Sequence, residues 1–367
     1  MFNKVFENSF EVHQKILEVN SILGNNEYFD LKYYKSQRFL KLKEFFNENY
    51  NNCSLKLVIG SEFAFSEWSG IKKYLKNISS VEVLPMNFFH EISYNTDDKV
   101  KLLRGKLLLT TNHDIMRSNV QSLRNLISLY QSCENTIFAG WDWDNHHNLQ
   151  ISSIYAMCSD IYFPSQRGNE YELSRLSSRM KYISPSAYEW TNEFLANHLE
   201  TIMDSERITL IAGTYNYYDR FTYRNQVIST LNTQIPDIKF IEDFKNYTNK
   251  TSLDKLSEWA SFKWHWLVPT YNAISVRAFY ALISGVGVIL PVEFQGFEEF
   301  KGLDPRDVIW YDESDVINTS RVIALASEKF TDSGKEGILR RHNFAMYSHN
   351  LHHRVQQMCD AALGYLA

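Results

Sequence analysis

Residues 140 to 148, GWDWDNHHN, crowd two aspartates and two histidines directly behind the apolar run TIFAG at 136 to 140. Asp142, Asp144, His146 and His147 offer an acid, a base, a nucleophile or metal ligands within one short stretch. An Asp-x-Asp pair is one way to hold a divalent ion on a nucleotide diphosphate. A carboxylate beside an imidazole is equally a base with its partner, and a base must reach within about 2.6 to 3.2 Å of the proton it takes. Groups just beyond the carboxyl end of a strand are where open α/β sheets place their chemistry. We read one of the aspartates as base or nucleophile and a histidine, His146 first, as its partner. The same residues also fit a capping cluster, with Asp144 or Asn145 starting a helix that includes Leu149 and Ile154.

Other polar groups sit in comparable positions. TNHDIMRS follows the run KLLLTT and places His113, Asp114 and Arg117 at a strand end, suited to contacts with a substrate or equally to structure. Ser61 and Glu62 follow LKLVIG, where a structural role is favoured. GTYNYYDRF follows RITLIAG: Gly213 permits close backbone approach, Tyr215 lies in the same loop, and Arg220 or Arg224 is able to pair with phosphate oxygens in bidentate fashion. His265 lies between Trp264 and Trp266, either as a satisfied core residue or as a group that bonds a nucleotide. In LVPTYNAISVRAFYALISGVGVILP, Ser275 reads as an N-cap. Val276, Phe279, Tyr280 and Ile283 then share one helical face, Gly285 is the stop, and GVGVILP is a buried parallel strand. Asn272, Ser275 and the free N–H groups of that helix form an anion site by geometry, with Arg277 adding charge. Glu293, just past the strand, is placed to bind ribose hydroxyls. His349, His352, His353 and Arg354 repeat at helical spacing and read as a packing or solvated face.

The elements that must hold these groups alternate. Two helices, near Phe10 to Leu23 and Ser36 to Tyr50, precede the runs LKLVIG, VEVLP at 81 to 85, KLLLTT, TIFAG and DIYFPS at 160 to 165, with helices from Glu67 to Leu75 and Val120 to Tyr130 between them. A Ser-Pro turn in KYISPSAYEW leads to one long helix ending near Met203. The alternation then restarts with RITLIAG, a helix from Tyr223 to Leu231, DIKFIED, FKWHWLVP, VGVILP and DVIWYD at 307 to 312, and ends in a long helix from about Lys335 to Tyr365. Alternation of this kind predicts parallel sheets flanked by helices, twice over.

Bulk properties narrow the function. The 367 residues suffice for two domains, and 44% hydrophobic with 22% charged residues describes a globular chain. A formal charge of −5 and no long basic run disfavour a nucleic-acid partner. Cys53, Cys133, Cys158 and Cys359 form no CxxC pair, which fits a reducing cytosol rather than zinc or a disulfide framework. No stretch approaches the roughly 18 to 20 apolar residues of a membrane span, so the chain is expected in the cytoplasm, with any contact to the inner face of the cell membrane peripheral. Neither half shows G-x-G-x-x-G behind its first strand, which disfavours a dinucleotide oxidoreductase.

Three segments carry a family resemblance. SVRAFYALISGVGVILP resembles the donor-site signature of GT-B glycosyltransferases, a helix reading roughly R-x-x-E-A-L-A-S-G followed by a valine-rich strand and proline. HNFAMYSHNLHHRVQQM resembles the closing helix of spore-maturation-type and related group 1 members, and RITLIAGTYNYYDRFTYRNQVISTL resembles the first strand, loop and helix of their nucleotide-binding domain. Together they cover most of residues 207 to 358, in the family's order. The resemblance implies an α/β fold of GT-B type, two Rossmann-like domains with a cleft between them. The acceptor side would be 1–181, the nucleotide-sugar side 182–345, and 346–367 a helix crossing back. It implies sugar transfer from a nucleotide donor to a glycan or lipid-linked acceptor, as in bacterial surface polysaccharide synthesis, without a metal or other cofactor. Donor contacts would come from Gly213, Tyr215, Arg220, Arg224, His265, Asn272, Ser275, Arg277 and Glu293. Acceptor contacts would come from His113, Asp114 and Arg117, and catalysis from Asp142, Asp144 and His146. A covalent route through an aspartate would follow the logic of retaining glycosidases.

The sequence departs from the family at one pair of positions. Many retaining members carry two glutamates with seven residues between them, and Asn272 and Tyr280 stand there instead. A CMP-activated acidic sugar such as Kdo or a sialic acid would suit that loss, because a glutamate beside its carboxylate would repel it. The same loss suits an inactive GT-B-like binding protein of a glycan-assembly complex, and an epimerase or phosphorylase acting on a sugar nucleotide is a further alternative.

Overall fold

Apolar runs bounded by glycine and proline form parallel strands throughout the computed structural model. It describes residues 31–49, 54–61, 71–85, 88–89, 96–116, 120–143, 149–167, 179–216, 218, 221–240, 249–270 and 273–367, with single positions 14, 173 and 176. The chain divides into two units, Met1–Ser184 with Arg354–Ala367, and Pro185–His353.

In the first unit the elements are α1 (Leu31–Asn49), β1 (Leu55–Ile59), β2 (Ile78–Val83), α2 (Thr96–Leu103), β3 (Leu107–Thr111), α3 (Asn112–Met116), α4 (Val120–Ser132), β4 (Ile137–Asp142), α5 (Leu149–Met157), β5 (Ile161–Pro164) and β6 (Arg179–Met180). The strands run in the order β2-β1-β3-β4-β5-β6, and every pairing is parallel. Val58, Leu108, Phe138 and Tyr162 contribute to a core with Leu126, Leu129, Tyr130, Ile154 and Tyr155 from α4 and α5. β2 ends at Val83, earlier than VEVLP implies, because Pro85 has no N–H to extend a ladder. The expected helix at 10–23 and most of that at 67–75 lie outside the described residues; what is described of the latter is a 3-10 turn at Lys72–Tyr74.

α1 docks through buried cations. Arg38 donates from Nε and Nη2 to Asp160 at 2.8 and 3.2 Å, and to the carbonyls of Tyr130 and Thr136. Lys35 donates to the carbonyls of Ala156 and Ser159. The end of the chain meets the same helix, with Tyr365 edge-on to Phe39 at 4.7 Å.

The second unit contains α6 (Asn192–Asn197), α7 (Leu199–Asp204), β7 (Thr209–Tyr215), α8 (Thr222–Gln234), β8 (Ile238–Phe240), α9 (Ser252–Ala260), β9 (Phe262–Trp266), α10 (Val276–Ile283), β10 (Gly287–Pro291), β11 (Val308–Tyr311), α11 (Glu313–Ile317), α12 (Ser320–Ser348) and the start of α13 (Leu351–Leu366). Its sheet runs β11-β10-β9-β7-β8, all parallel. Counted within the unit this is the doubly wound order 2-1-3-4-5, which also describes the first five strands of the other sheet. Each unit therefore has the Rossmann-like plan expected of a GT-B chain. Apolar clusters cover both faces of the second sheet, which is why its strands lack alternation.

α10 ends as its sequence requires. Gly285 takes φ 74°, its N–H bonds to Leu282 and that of Val286 to Ala281, which is the Schellman pattern. A side chain there would also meet Ile338 at 2.5 Å. Two long helices are broken where the sequence reads as continuous. His198 separates α6 from α7 at φ −118°. His349 and Asn350 separate α12 from α13, because the backbone there is diverted into a parallel bridge with Ala187.

Candidate functional site

The aspartates and histidine of the first unit divide into buried structural groups and residues that lie outside the described set. Asp142 closes β4 and is 0% exposed; its Oδ2 accepts the Tyr162 hydroxyl at 2.5 Å. A carboxylate with no exposed surface is badly placed to meet a substrate, which corrects the expectation that Asp142 acts as base or nucleophile. Asp144, His146 and His147 lie outside the described residues, as do Arg117 and Glu62. Asp114 is also buried, accepting from Thr111 N at 2.7 Å and lying so close over Gly60 that a side chain there would overlap it. It ties the ends of β1 and β3 together, a structural task rather than a substrate contact. His113 is half-buried against the Trp143 ring at 5.8 Å.

The second unit gathers the remaining candidates at the carboxyl edge of its sheet. β7 and β9 are neighbours whose chains leave in opposite directions, so the crevice beyond their ends is the topological switch point. Tyr215 ends β7 and lies under that crevice, its hydroxyl bonding the Trp266 carbonyl and accepting from Val268 N. Its ring also covers Gly213, where an added side chain would meet it at 2.7 Å. The space over Gly213 is therefore taken by this ring and is not open to a ligand.

Two guanidiniums converge on the Tyr215 ring: Arg224 from the first turn of α8 at 5.4 Å and Arg277 from the first turn of α10 at 5.8 Å. Arg224 is 5% exposed; Nη1 donates to the Asn216 carbonyl, while Nε has no partner among the described residues. Neither arginine has a carboxylate within ion-pair distance among the described residues. The pKa of Arg224 is lowered, mainly by burial and further by Arg277, with Tyr218 opposing. Ser275 caps α10, its hydroxyl accepting from Arg277 N at 3.3 Å and its carbonyl from Ala278 N at 3.0 Å. Two unbalanced cations beside a helix N-terminus amount to a preformed anion site. Arg220 and Asn272 lie outside the described residues.

His265 is the buried neighbour of this site. It is 1% exposed, stacks on Trp259 at 5.0 Å, and neither ring nitrogen has a partner among the described residues. Burial, and then Arg277, pull its pKa from 6.5 down to about 3. The unfolded chain therefore takes up a proton below about 6.5 that the native protein refuses until about 3. Stability should fall with pH across that window by about 1.4 kcal/mol per unit. His342 and His352 are shifted in the same direction, so the contribution of His265 is read by difference. His265→Phe should show a shallower loss of urea midpoint between pH 7 and pH 5 than the parent. Equal slopes would mean that native His265 takes up its proton over the same pH range as the unfolded chain.

Arg224 opens onto a cavity of about 540 Å³ lined by Phe221, Tyr223, Val268, Thr270, Glu293 and Glu313, among others. Its walls are the ends of β9, β10 and β11 and the first turns of α8 and α11. Glu293 is exposed at its rim. Tyr223, Thr270, Tyr311 and Glu313 were not singled out in the sequence. The reasoning that marked Glu293 as a carboxylate behind a strand applies equally to Glu313 behind DVIWYD, and would have found it.

Among the described residues no group of His, Cys, Asp and Glu is arranged to hold a metal ion, and no helix is long and apolar enough to cross a membrane. No known protein family matches the sequence, and no curated protein does. Among solved structures the chain is similar to HepE of Anabaena in complex with UDP-glucose, at 9% identity and TM-score 0.46 over 89% of this chain and 96% of that one. It is also similar to an α,α-trehalose-phosphate synthase (UDP-forming) from Burkholderia vietnamiensis, at 10% identity and TM-score 0.43 over 85% of this chain and 99% of that one. These neighbours are GT-B glycosyltransferases.

Proposed function

We propose that the chain is a glycosyltransferase that binds a nucleotide-activated sugar at the carboxyl edge of its second unit. The observation that carries this reading is Arg224, uncompensated by any described carboxylate and opening onto a cavity of nucleotide size, with Arg277 beside it over the Tyr215 ring at the capped N-terminus of α10. In that arrangement the phosphate of the departing nucleotide gains negative charge as the sugar bond breaks. The guanidiniums of Arg224 and Arg277, beside the N-terminus of α10, are already in place to stabilise it. Glu293 is assigned to the ribose hydroxyls. Of the two aspartates behind β4, Asp144 is assigned as base with His146, because Asp142 is buried on Tyr162. No cofactor beyond the sugar nucleotide is invoked.

The donor brings two negative charges to this end of the cavity in either of two forms. A nucleoside diphosphate sugar carries them on its diphosphate, and a CMP-activated acidic sugar carries one on phosphate and one on the sugar carboxylate. A glycan or lipid-linked acceptor of a bacterial surface polysaccharide, met in the cytoplasm with peripheral membrane contact, completes the reading. A second reading is a nucleotide-binding protein without transfer, and one observation favours it. Tyr280, where the family's second glutamate would stand, is buried against Tyr188, Trp190 and Trp259.

The test is release of free nucleotide from UDP-glucose, UDP-N-acetylglucosamine, GDP-mannose and CMP-sialic acid by the purified chain, with and without bacterial glycan as acceptor. Transfer predicts release from at least one donor, lost in Arg277→Ala. Binding without release from any donor would select the second reading, and neither binding nor release would remove both.

A further inference from the structure

The cavity that Arg224 lines also carries acid. Glu293, Asp312 and Glu313 line it too, and among the described residues Arg224 is the sole basic one on its wall. Asp312 is occupied: its Oδ1 caps α11, accepting from Ser314 N at 2.8 Å and from the Ser314 hydroxyl at 2.6 Å. Glu313 accepts the Tyr223 hydroxyl on Oε1 at 2.7 Å, which leaves Oε2 without a donor among the described residues. Glu293 has no hydrogen-bond partner among them. Tyr223, 63% exposed, stands at the rim with its ring held by Glu313. A ligand in this cavity thus meets a cationic Arg224, whose Nε has no partner among the described residues, and the exposed carboxylates of Glu293 and Glu313.

Resting on the glycosyltransferase reading, we propose that the donor's nucleobase carries an exocyclic amine and that Glu313 reads it. The ribose hydroxyls are donors enough for one carboxylate, Glu293. The second carboxylate then faces the base. Uracil and thymine present a single N–H flanked by two carbonyl oxygens, which a carboxylate repels. Cytosine and adenine present an amine, and guanine presents N–H and amine side by side, matching both carboxylate oxygens. Glu313 is the better reader of the two, because the Tyr223 hydroxyl fixes its orientation and the Tyr223 ring lies alongside as a stacking face.

The test is calorimetric titration of the full chain with CDP, GDP, ADP, UDP and TDP, repeated on Glu313→Gln, an exposed position. At least one amine-bearing nucleotide should bind about tenfold or more tightly than UDP and TDP, the range of a hydrogen bond to a charged group. Glu313→Gln should bring that ratio to within about twofold, because a carboxamide satisfies uracil as well as it does an amine. UDP or TDP binding as tightly as the best of the others, or a ratio untouched by Glu313→Gln, would overturn the assignment while leaving a nucleotide-binding second unit intact. No binding by any of the five would overturn it together with the reading on which it rests.

Discussion

Alanine at position 277 should weaken nucleoside diphosphate binding by about ten- to hundredfold while leaving the unliganded protein as stable as before, or slightly more so. A hydrogen bond to a charged group contributes about 1.5 to 3 kcal/mol, and each 1.4 kcal/mol is about tenfold in affinity. Both guanidiniums face one aromatic ring, and Arg277 disfavours the charged form of Arg224 and of His265. In the empty protein it is therefore a source of repulsion, and removing it relieves its neighbours. A residue kept for packing would behave the other way, losing stability on truncation and changing affinity little. Arg277→Lys should fall between the two, because an ammonium keeps the charge but not the planar fork that pairs with two phosphate oxygens. Calorimetry with CDP, GDP and UDP, beside thermal unfolding without ligand, reads both quantities. Unchanged affinity in Arg277→Ala, or a drop of several degrees in its unliganded melting temperature, would remove Arg277 from the site.

Much of this site was legible because local rules wrote it. Ser275 as cap, Gly285 as stop and GVGVILP as buried strand each follow from backbone geometry, and all three occur as read. Parallel strands were legible from continuous apolar runs, and the doubly wound order follows from connections that must cross over helices. What sequence could not supply was direction. Asp142 and Arg224 are both polar residues near strand ends, yet Asp142 turns inward to Tyr162 and Arg224 turns toward the cavity. Alternation along a strand sets which face a side chain takes, but both faces here are buried, so periodicity carries no sign of solvent. Gly213 shows the same limit, since its missing side chain makes room for the ring of Tyr215 two residues on. Helix breaks at His198 and Asn350 escaped for a different reason. The break at Asn350 depends on the distant pairing of the backbone with Ala187, which composition does not record, and no Gly or Pro marks the one at His198.

Alanine at position 160 should destabilise the first unit by about 3 to 5 kcal/mol, the range for removing one partner of a buried ion pair. Asp160 is 0% exposed and accepts from Arg38, from the Tyr130 hydroxyl at 3.0 Å and from Phe138 N at 2.9 Å. Burial works to lower the pKa of Arg38, yet the net shift is upward, chiefly through the Asp160 carboxylate, so that the guanidinium is held charged. Lys35, next to it on α1, is pulled down to about 7 by burial, with Asp160 opposing. Without the carboxylate, Arg38 remains inside the protein with only carbonyls and ring faces as partners, and Lys35 loses its nearest anion. Release of α1 is the cheapest escape, since it returns both cations to water. The substitution should accordingly be read in two ways, as a lower urea midpoint and as faster amide exchange along α1 than along β3 or β4. Replacing both partners, Arg38→Met with Asp160→Leu, should cost much less than Asp160→Ala, because no charge is then stranded. The exposed pair Lys41 and Glu134, 2.7 Å apart, provides the contrast: Glu134→Ala should cost under about 1 kcal/mol. An Asp160→Ala protein as stable as the Glu134→Ala protein would show that α1 is held by its apolar face alone.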